Sequence, residues 1–220
     1  MHMKTQREPE PGDRWPGLVA TGLLIAACLL LGGCSVLEKP VRAAVFDFGP
    51  GPVTVPDGGA SMTTLSLAEV ETSSALEGTA VLYRFAFANT TQLLPYAQAR
   101  WSMAPAQLVR QRLRDTLGRK RHVVSPGDGN LAGVTPGLLL RVELEEFSQV
   151  FEAVDKSAGL VRLRATLIQT TTAGDRLLGQ RVVVALRNAA THDAPGGVRA
   201  LAEASQAVAD EIEQWLNQFR

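Results

Sequence analysis

The 220-residue chain carries 22 lysines and arginines against 22 aspartates and glutamates, a net charge of zero, and 45% of its residues are hydrophobic. That neutrality excludes the electrostatic footprint of a nucleic-acid binder, whose affinity comes from Lys and Arg gathered at phosphates. The two cysteines, Cys28 and Cys34, both lie near the N-terminus, which leaves the body of the chain without a disulfide framework.

In chain order, Lys4, Arg7 and Arg14 precede an apolar run from Leu18 to Leu31, followed by Gly32, Gly33 and Cys34. A basic start, an apolar middle and small residues before a cut are the marks of a bacterial export signal. The run is about 14 residues, short of the ~20 that a spanning helix needs. Leu31-Gly32-Gly33-Cys34 resembles the lipobox of bacterial lipoproteins. The resemblance implies cleavage before Cys34, a diacylglyceryl thioether on its sulfur and an acyl group on its new amine, with no other cofactor. Three acyl chains exceed the two signals that suffice for stable attachment. Ile25-Ala26-Ala27-Cys28 fits the same pattern, and a retained anchor is a third reading. Cleavage at Cys34 divides the chain into a signal peptide (1–33), a lipidated tether (34–44) and a domain (45–220). The signal takes three basic and three acidic residues with it, so the mature chain stays neutral; Cys34 is then its only cysteine. Ser35 stands where aspartate would resemble an inner-membrane retention signal, which favours an outer-membrane anchor facing the periplasm.

Ala44 to Phe48 is a short strand candidate, stopped by Gly49-Pro50-Gly51-Pro52, which cannot continue a ladder. A Pro- and Gly-rich loop runs to Ala60, and Thr63 to Val70 is a second strand. From Thr79 to Phe87, Val81, Tyr83, Phe85 and Phe87 recur at period two, which predicts a strand inside the sheet with Phe85 and Phe87 in the core. Asn89-Thr90-Thr91 supplies a turn, and Leu93 to Trp101 runs back as a partner strand. Pro105 suits the first turn of a helix whose stripe of Leu108, Val109, Leu113, Thr116 and Leu117 ends at Gly118. Arg110, Arg112, Arg114, Arg119, Lys120 and Arg121 predict a basic helix surface.

Val123-Val124 reads as a brief strand and Pro126 to Gly137 as a loop. Leu138, Leu140, Val142 and Leu144 then alternate with polar partners until the phase slips near Glu146-Phe147, where a bulge would restore the apolar face. After Glu152 to Ala158, Val161, Leu163, Ala165 and Leu167 oppose Arg162, Arg164 and Thr166. Opposite charges on the two polar faces predict that Glu143 and Glu145 meet Arg162 and Arg164 across strands. A hairpin at Ala173-Gly174-Asp175 leads into Leu177 to Leu186, so three antiparallel strands form the centre of the sheet. The final helix carries Val198, Leu201, Ser205, Val208, Ile212, Trp215, Leu216 and Phe219 on one stripe, with Glu203, Asp210, Glu211 and Glu213 opposite.

Chemistry is sparse. His122 and His192 have no carboxylate or second histidine at a useful spacing, and no thiol is left for catalysis or zinc. Gly127-Asp128-Gly129-Asn130 lacks the Lys-Ser/Thr of a phosphate loop, and no Gly-x-Ser-x-Gly elbow is present. Neighbouring carboxylates in Glu143-x-Glu145-Glu146 point to opposite faces of a strand, which does not make a metal pair. The sequence thus predicts no enzyme and no metal. Tyr83, Arg84, Tyr96, Arg100 and Trp101 stand out as amphipathic residues flanking a turn and a helix, candidate contacts to a protein partner.

The chain resembles the ABC-type transport auxiliary lipoproteins, including the paraquat-inducible protein C type. The resemblance rests on Phe46-Asp47-Phe48-Gly49-Pro50, Leu82-Tyr83-Arg84, Tyr96 through Arg100-Trp101, and Pro105-Ala106-Gln107-Leu108 with Arg112-Leu113. It continues through Leu144-Glu145-Glu146-Phe147 with Phe151, Leu163-Arg164-Ala165, Gln180-Arg181 and the helix from Gly196-Gly197-Val198 to Trp215. It implies a single α/β (α+β) domain: a mixed, mainly antiparallel sheet with two principal helices, similar to the N-terminal domain of TolB-type and curli-secretion-type proteins. It also implies work beside an ABC transporter whose substrate-binding subunit is of the mammalian-cell-entry (MCE) type, moving phospholipid or another hydrophobic solute. A homo-oligomeric ring matching the MCE partner belongs to the same expectation. A lipoprotein activator or scaffold of a cell-envelope enzyme and a lipid carrier with its own cavity are the competing readings.

Overall fold

A computed structural model describes residues 42–51, 64–126 and 137–219. The signal peptide, Cys34, most of the tether, the loop to Ala60 and Gly127-Asp128-Gly129-Asn130 lie outside the described residues. The apolar alternation from residue 137 onward builds three long strands, β6 (Gly137–Ala153), β7 (Lys156–Thr171) and β8 (Gly174–Asn188), in an antiparallel meander. Leu140, Val142 and Leu144 are buried on one face of β6. A register shift between Leu144 and Glu146 then turns Phe147 and Phe151 to that same face, as the slipped phase predicts. On the other face, Arg164 Nε donates to Glu145 Oε1 at 2.7 Å, and Arg162 Nε lies 3.1 Å from Glu145 Oε2. These half-exposed pairs are worth little in stability, but like charges opposed in a slipped register would repel.

The N-terminal half attaches to the free side of β6. Strands β2 (Thr64–Thr72) and β3 (Ala80–Phe85) lie end to end along it and parallel to it, β2 beside Leu138–Leu144 and β3 beside Gln149–Phe151. A 3-10 turn at Ser74–Leu76 separates them. Strand β4 (Leu94–Trp101) is antiparallel to β3, β1 (Ala44–Phe46) runs parallel to β4, and β5 (His122–Val124) is parallel to β2. The sheet is therefore mixed, with its longest pairings antiparallel. β6 and β7 occupy its centre, whereas β8, expected there, is an edge strand paired only with β7.

Two helices, α1 (Pro105–Leu117) and α2 (Ala194–Leu216), cover one face and pack on each other, α2 against β6, β7 and β8, α1 against β2. Leu108, Val109, Leu113 and Leu117 from α1 meet the buried Leu201, Val208, Ile212 and Leu216 side of α2 in one core. The basic surface predicted for α1 is largely engaged. Arg112 is buried, donates to Gln206 Oε1 and the Phe48 carbonyl at 3.0 Å each, and lies over the Phe48 ring. Arg110 pairs with Glu69 at 3.0 Å. Glu213, assigned to the solvent face, is buried and receives the Lys120 ammonium at 3.2 Å. Val154-Asp155 joins β6 to β7, and Thr172-Ala173, one residue ahead of the expected Ala173-Gly174-Asp175, joins β7 to β8.

Helix α2 approaches β7 closely only because residue 159 is glycine. A Cβ there would stand 2.5 Å from the Leu201 nitrogen and 2.6 Å from the Ala200 carbonyl carbon. The helix starts at Asp193, whose Oδ1 accepts from the Gly196 N–H at 2.9 Å and from the Thr191 hydroxyl at 2.6 Å. The Thr191 hydroxyl first, then the Gly196 amide, hold the Asp193 carboxyl below its usual range. Asp193→Ala is expected to cost about 1 kcal/mol at neutral pH in urea unfolding. Because the folded-state pKa is depressed, the cap's contribution is present above the ordinary carboxylate pKa. It is lost as pH falls through the lower folded value, so the gap between the two proteins closes in acid.

Candidate partner-binding face

Strands β3 and β4 carry all five residues expected at a partner surface, and the fold separates them into different environments. Alternation along β3 puts Tyr83 and Phe85 on one face and Arg84 on the other. The Tyr83 ring lies 4.5 Å from that of Tyr96, 5.1 Å from Phe85 and 6.0 Å from Phe151, and Phe85 lies 5.2 Å from Phe151. Offset and edge-on contacts at such separations add to the area that the rings bury. From this cluster a polar chain runs through buried Gln149 and Ser157 to exposed His192. The Tyr96 hydroxyl donates to Gln149 Oε1 at 2.8 Å, Gln149 Nε2 donates to Ser157 Oγ at 2.8 Å, and Ser157 Oγ lies 3.0 Å from His192 Nδ1. Burial first, then the Tyr83 phenol and the Asp193 carboxylate, push the Tyr96 hydroxyl well above the ordinary tyrosine range, so it stays protonated and donates. Gly197 makes room for Gln149: a Cβ there would fall 2.0 Å from Gln149 Oε1.

The Ser157–His192 contact, invisible in the sequence, has the distance of a nucleophile and its base. Its surroundings differ: Ser157 is 3% exposed, its oxygen is already taken by Gln149, and no carboxylate bonds to His192 among the described residues. The relay bridges the sheet and the start of α2, buried at Gln149 and Ser157 and open to solvent at His192. Among the described residues no three His, Cys, Asp or Glu side chains are grouped to hold a metal ion.

Arg84 Nη2 donates to Glu146 Oε2 at 3.0 Å, and its Nη1 reaches the carbonyls of Thr90 and Thr91 at 3.4 Å, so it pins the β3–β4 turn. Arg100 folds back on its own strand, Nη1 donating to the Tyr96 and Ala99 carbonyls at 2.6 and 2.8 Å. Trp101 does not belong with them at a surface. It is 2% exposed and packs edge-on against Phe48 at 5.7 Å and Phe147 at 5.5 Å, a core side chain.

Phe87, expected in the core, is also misplaced by periodicity. β3 ends at Phe85, Phe87 falls in the turn, and it is 52% exposed. The Asn-Thr-Thr turn two residues later is the signal that marks this early stop. The sequence also gives no sign that Val154 is 80% exposed at the β6–β7 turn, or that Val182, Val184 and Leu186 stand exposed on the edge strand β8. Two clefts flank α1: one of about 190 Å³ with Asp47, Gln111, Arg112 and Asp115 among its walls, and a shallower one of about 520 Å³ between Glu69, Gln107, Arg110 and Arg114. The first is smaller than the ~300 Å³ at which ligand clefts begin; the second is larger, but charged and amide side chains line both, unlike the mostly apolar walls of a ligand cleft. No helix among the described residues is long and apolar enough to cross a membrane.

Solved structures share this architecture. Protein XCC0632 from Xanthomonas campestris, of the DUF330 family, superposes with a TM-score of 0.63 at 16% identity, over 79% of this chain and 94% of its own. An uncharacterized protein of known crystal structure reaches a TM-score of 0.55 at 14% identity, over 80% of this chain and 99% of that one. At such identities the likeness establishes the fold. No curated protein matches the chain significantly. Residues 47–213, the span from the end of β1 into the last turns of α2, match the family model of the ABC-type transport auxiliary lipoprotein component, and the chain belongs to that family.

Proposed function

We propose that this chain is a lipoprotein anchored through acylated Cys34, facing the periplasm from the outer membrane, and a non-catalytic accessory component of an ABC transport system. Its direct partner on this reading is an MCE-type protein, its cargo phospholipid or another hydrophobic solute, and its own assembly a ring matched to that partner. The observation that carries the reading is the family match across residues 47–213. The buried, fully engaged Ser157 and the polar lining of both clefts beside α1 support a docking role over chemistry or storage of an apolar cargo. With Trp101 in the core, the proposed docking residues are Tyr83, Arg84, Tyr96 and Arg100.

Photo-crosslinking in cells tests this. A photoreactive residue at Arg84 or Arg100 is expected to give an adduct containing an MCE-type protein. Cys34→Ala is expected to lose both the membrane fraction and the adduct. Adducts from position 184 on β8 but not from 84 or 100 would move the docking face to the edge strand. Failure to recover an MCE-type protein from either face would overturn the reading.

A further inference from the structure

The pairings gather one end of the sheet. Phe85 beside Phe151, Tyr83 opposite Leu94 and Ala153 opposite Lys156 bring together the outgoing ends of β3 and β6 and the incoming ends of β4 and β7. Two turns project there, and their apolar side chains face outward: Phe87, its ring tilted 5.5 Å from that of Phe85, and Val154. The rim is polar but balanced. Glu152 and Lys156 pair with each other, and Asp155 follows Val154, so no excess of positive charge marks the tip.

The described chain also begins at this end. β1 runs parallel to β4, with Ala44 beside Ala99 and Phe46 beside Trp101. Chain preceding Ala44 therefore enters from the side of Leu94, the incoming end of β4. From Ala99 back to Leu94 is five residues, about 17 Å of strand. The ten residues from Cys34 to Ala44 can span up to about 35 Å. An acyl chain on Cys34 thus places the bilayer within reach of this end of the sheet. A contact made by a tethered molecule is effectively intramolecular, so even a small apolar patch can be held.

We propose that the sheet end bearing Phe87 and Val154 rests on the surface of the bilayer that holds Cys34, an apolar contact with lipid at the headgroup boundary. It rests on the reading of Cys34 as the acylated residue. The contact fixes the domain upright, with the β8 edge and the open sheet face directed sideways, away from lipid.

The test uses the lipidated mature chain in phosphatidylcholine vesicles. Its one native cysteine is acylated, so Phe87→Cys, Val154→Cys and, in the turn at the far end of β7, Ala173→Cys each accept a single fluorophore. All three positions are exposed, so folding is not at stake. Flotation with the vesicles, lost in Cys34→Ala, reads the anchor separately from the tip. The expected result is a severalfold fall in quenching by aqueous iodide at positions 87 and 154 when vesicles are added, with none at 173. The shielding should persist in ~1 M salt, where the screening length is about 3 Å. Equal quenching at all three positions in protein that floats would overturn the proposal and leave the tip to a protein partner. Shielding that vanishes with salt would overturn an apolar contact in favour of charge attraction. Protein that fails to float removes the anchor, and this contact with it.

Discussion

Trp101→Ala is expected to lower the unfolding free energy by about 3–5 kcal/mol, a large part of what a domain of this size possesses. The indole is 2% exposed and wedged between Phe48, just after β1, and Phe147 on the bulged part of β6. Removing it deletes the contacts of both rings and leaves a cavity that two strands cannot close. Trp101→Phe supplies the discriminating companion. Trp101 Nε1 has no hydrogen-bond partner, so the phenyl ring forfeits area but orphans no group, and its cost should stay below about 1.5 kcal/mol. Urea unfolding reads both, as a lower midpoint at unchanged slope. An alanine variant as stable as the parent would return Trp101 to the surface and to the partner face.

The second large effect is at Gly159, where Ala is expected to cost about 3 kcal/mol or more, at the upper end for overpacking. The new methyl would meet the backbone of α2 at Ala200 and Leu201, not the end of a side chain that can swing aside. Relief requires α2 to lift from β7, which loosens Leu201, Ala204 and Val208 together. Thermal unfolding should show a fall of several degrees, on the order of 2–4 °C per kcal/mol. Gly78, where a Cβ meets nothing within 4 Å, is the control that should tolerate alanine.

What the sequence made legible follows from where its signals are local. The slipped phase at Glu146-Phe147 and the opposed charges of Glu145 with Arg162 and Arg164 identified the register of β6 and β7, because both read out neighbours in one hairpin. Pro105 and Gly118 bounded α1 for the same reason. The attachment of β2 and β3 to β6 was hidden, since parallel partners lie far apart in the chain and leave no periodic trace. Trp101 and Phe87 exchanged expected places because an aromatic residue after a turn suits a core as well as a surface. Only the end of β3 at Phe85 decides between them. Val182-Val183-Val184 reads alike on a central and on an edge strand, so the exposure of β8 was likewise beyond pattern. The candidate site was legible as a neighbourhood, β3 with β4, but not as an arrangement: the relay from Tyr96 to His192 joins four segments of chain.

The end-to-end placement of β2 and β3 along β6 bears on how the molecule comes to exist. Synthesis delivers the N-terminal half first, where β2 can pair with β5 and β3 with β4, yet the strand that both share, β6, exists only when residues 137–153 arrive. The meander from 137 to 188 is self-sufficient in its pairing and can assemble quickly as a template. Until then β2 and β3 each keep one edge unpaired, an aggregation hazard confined to the interval before β6 is made.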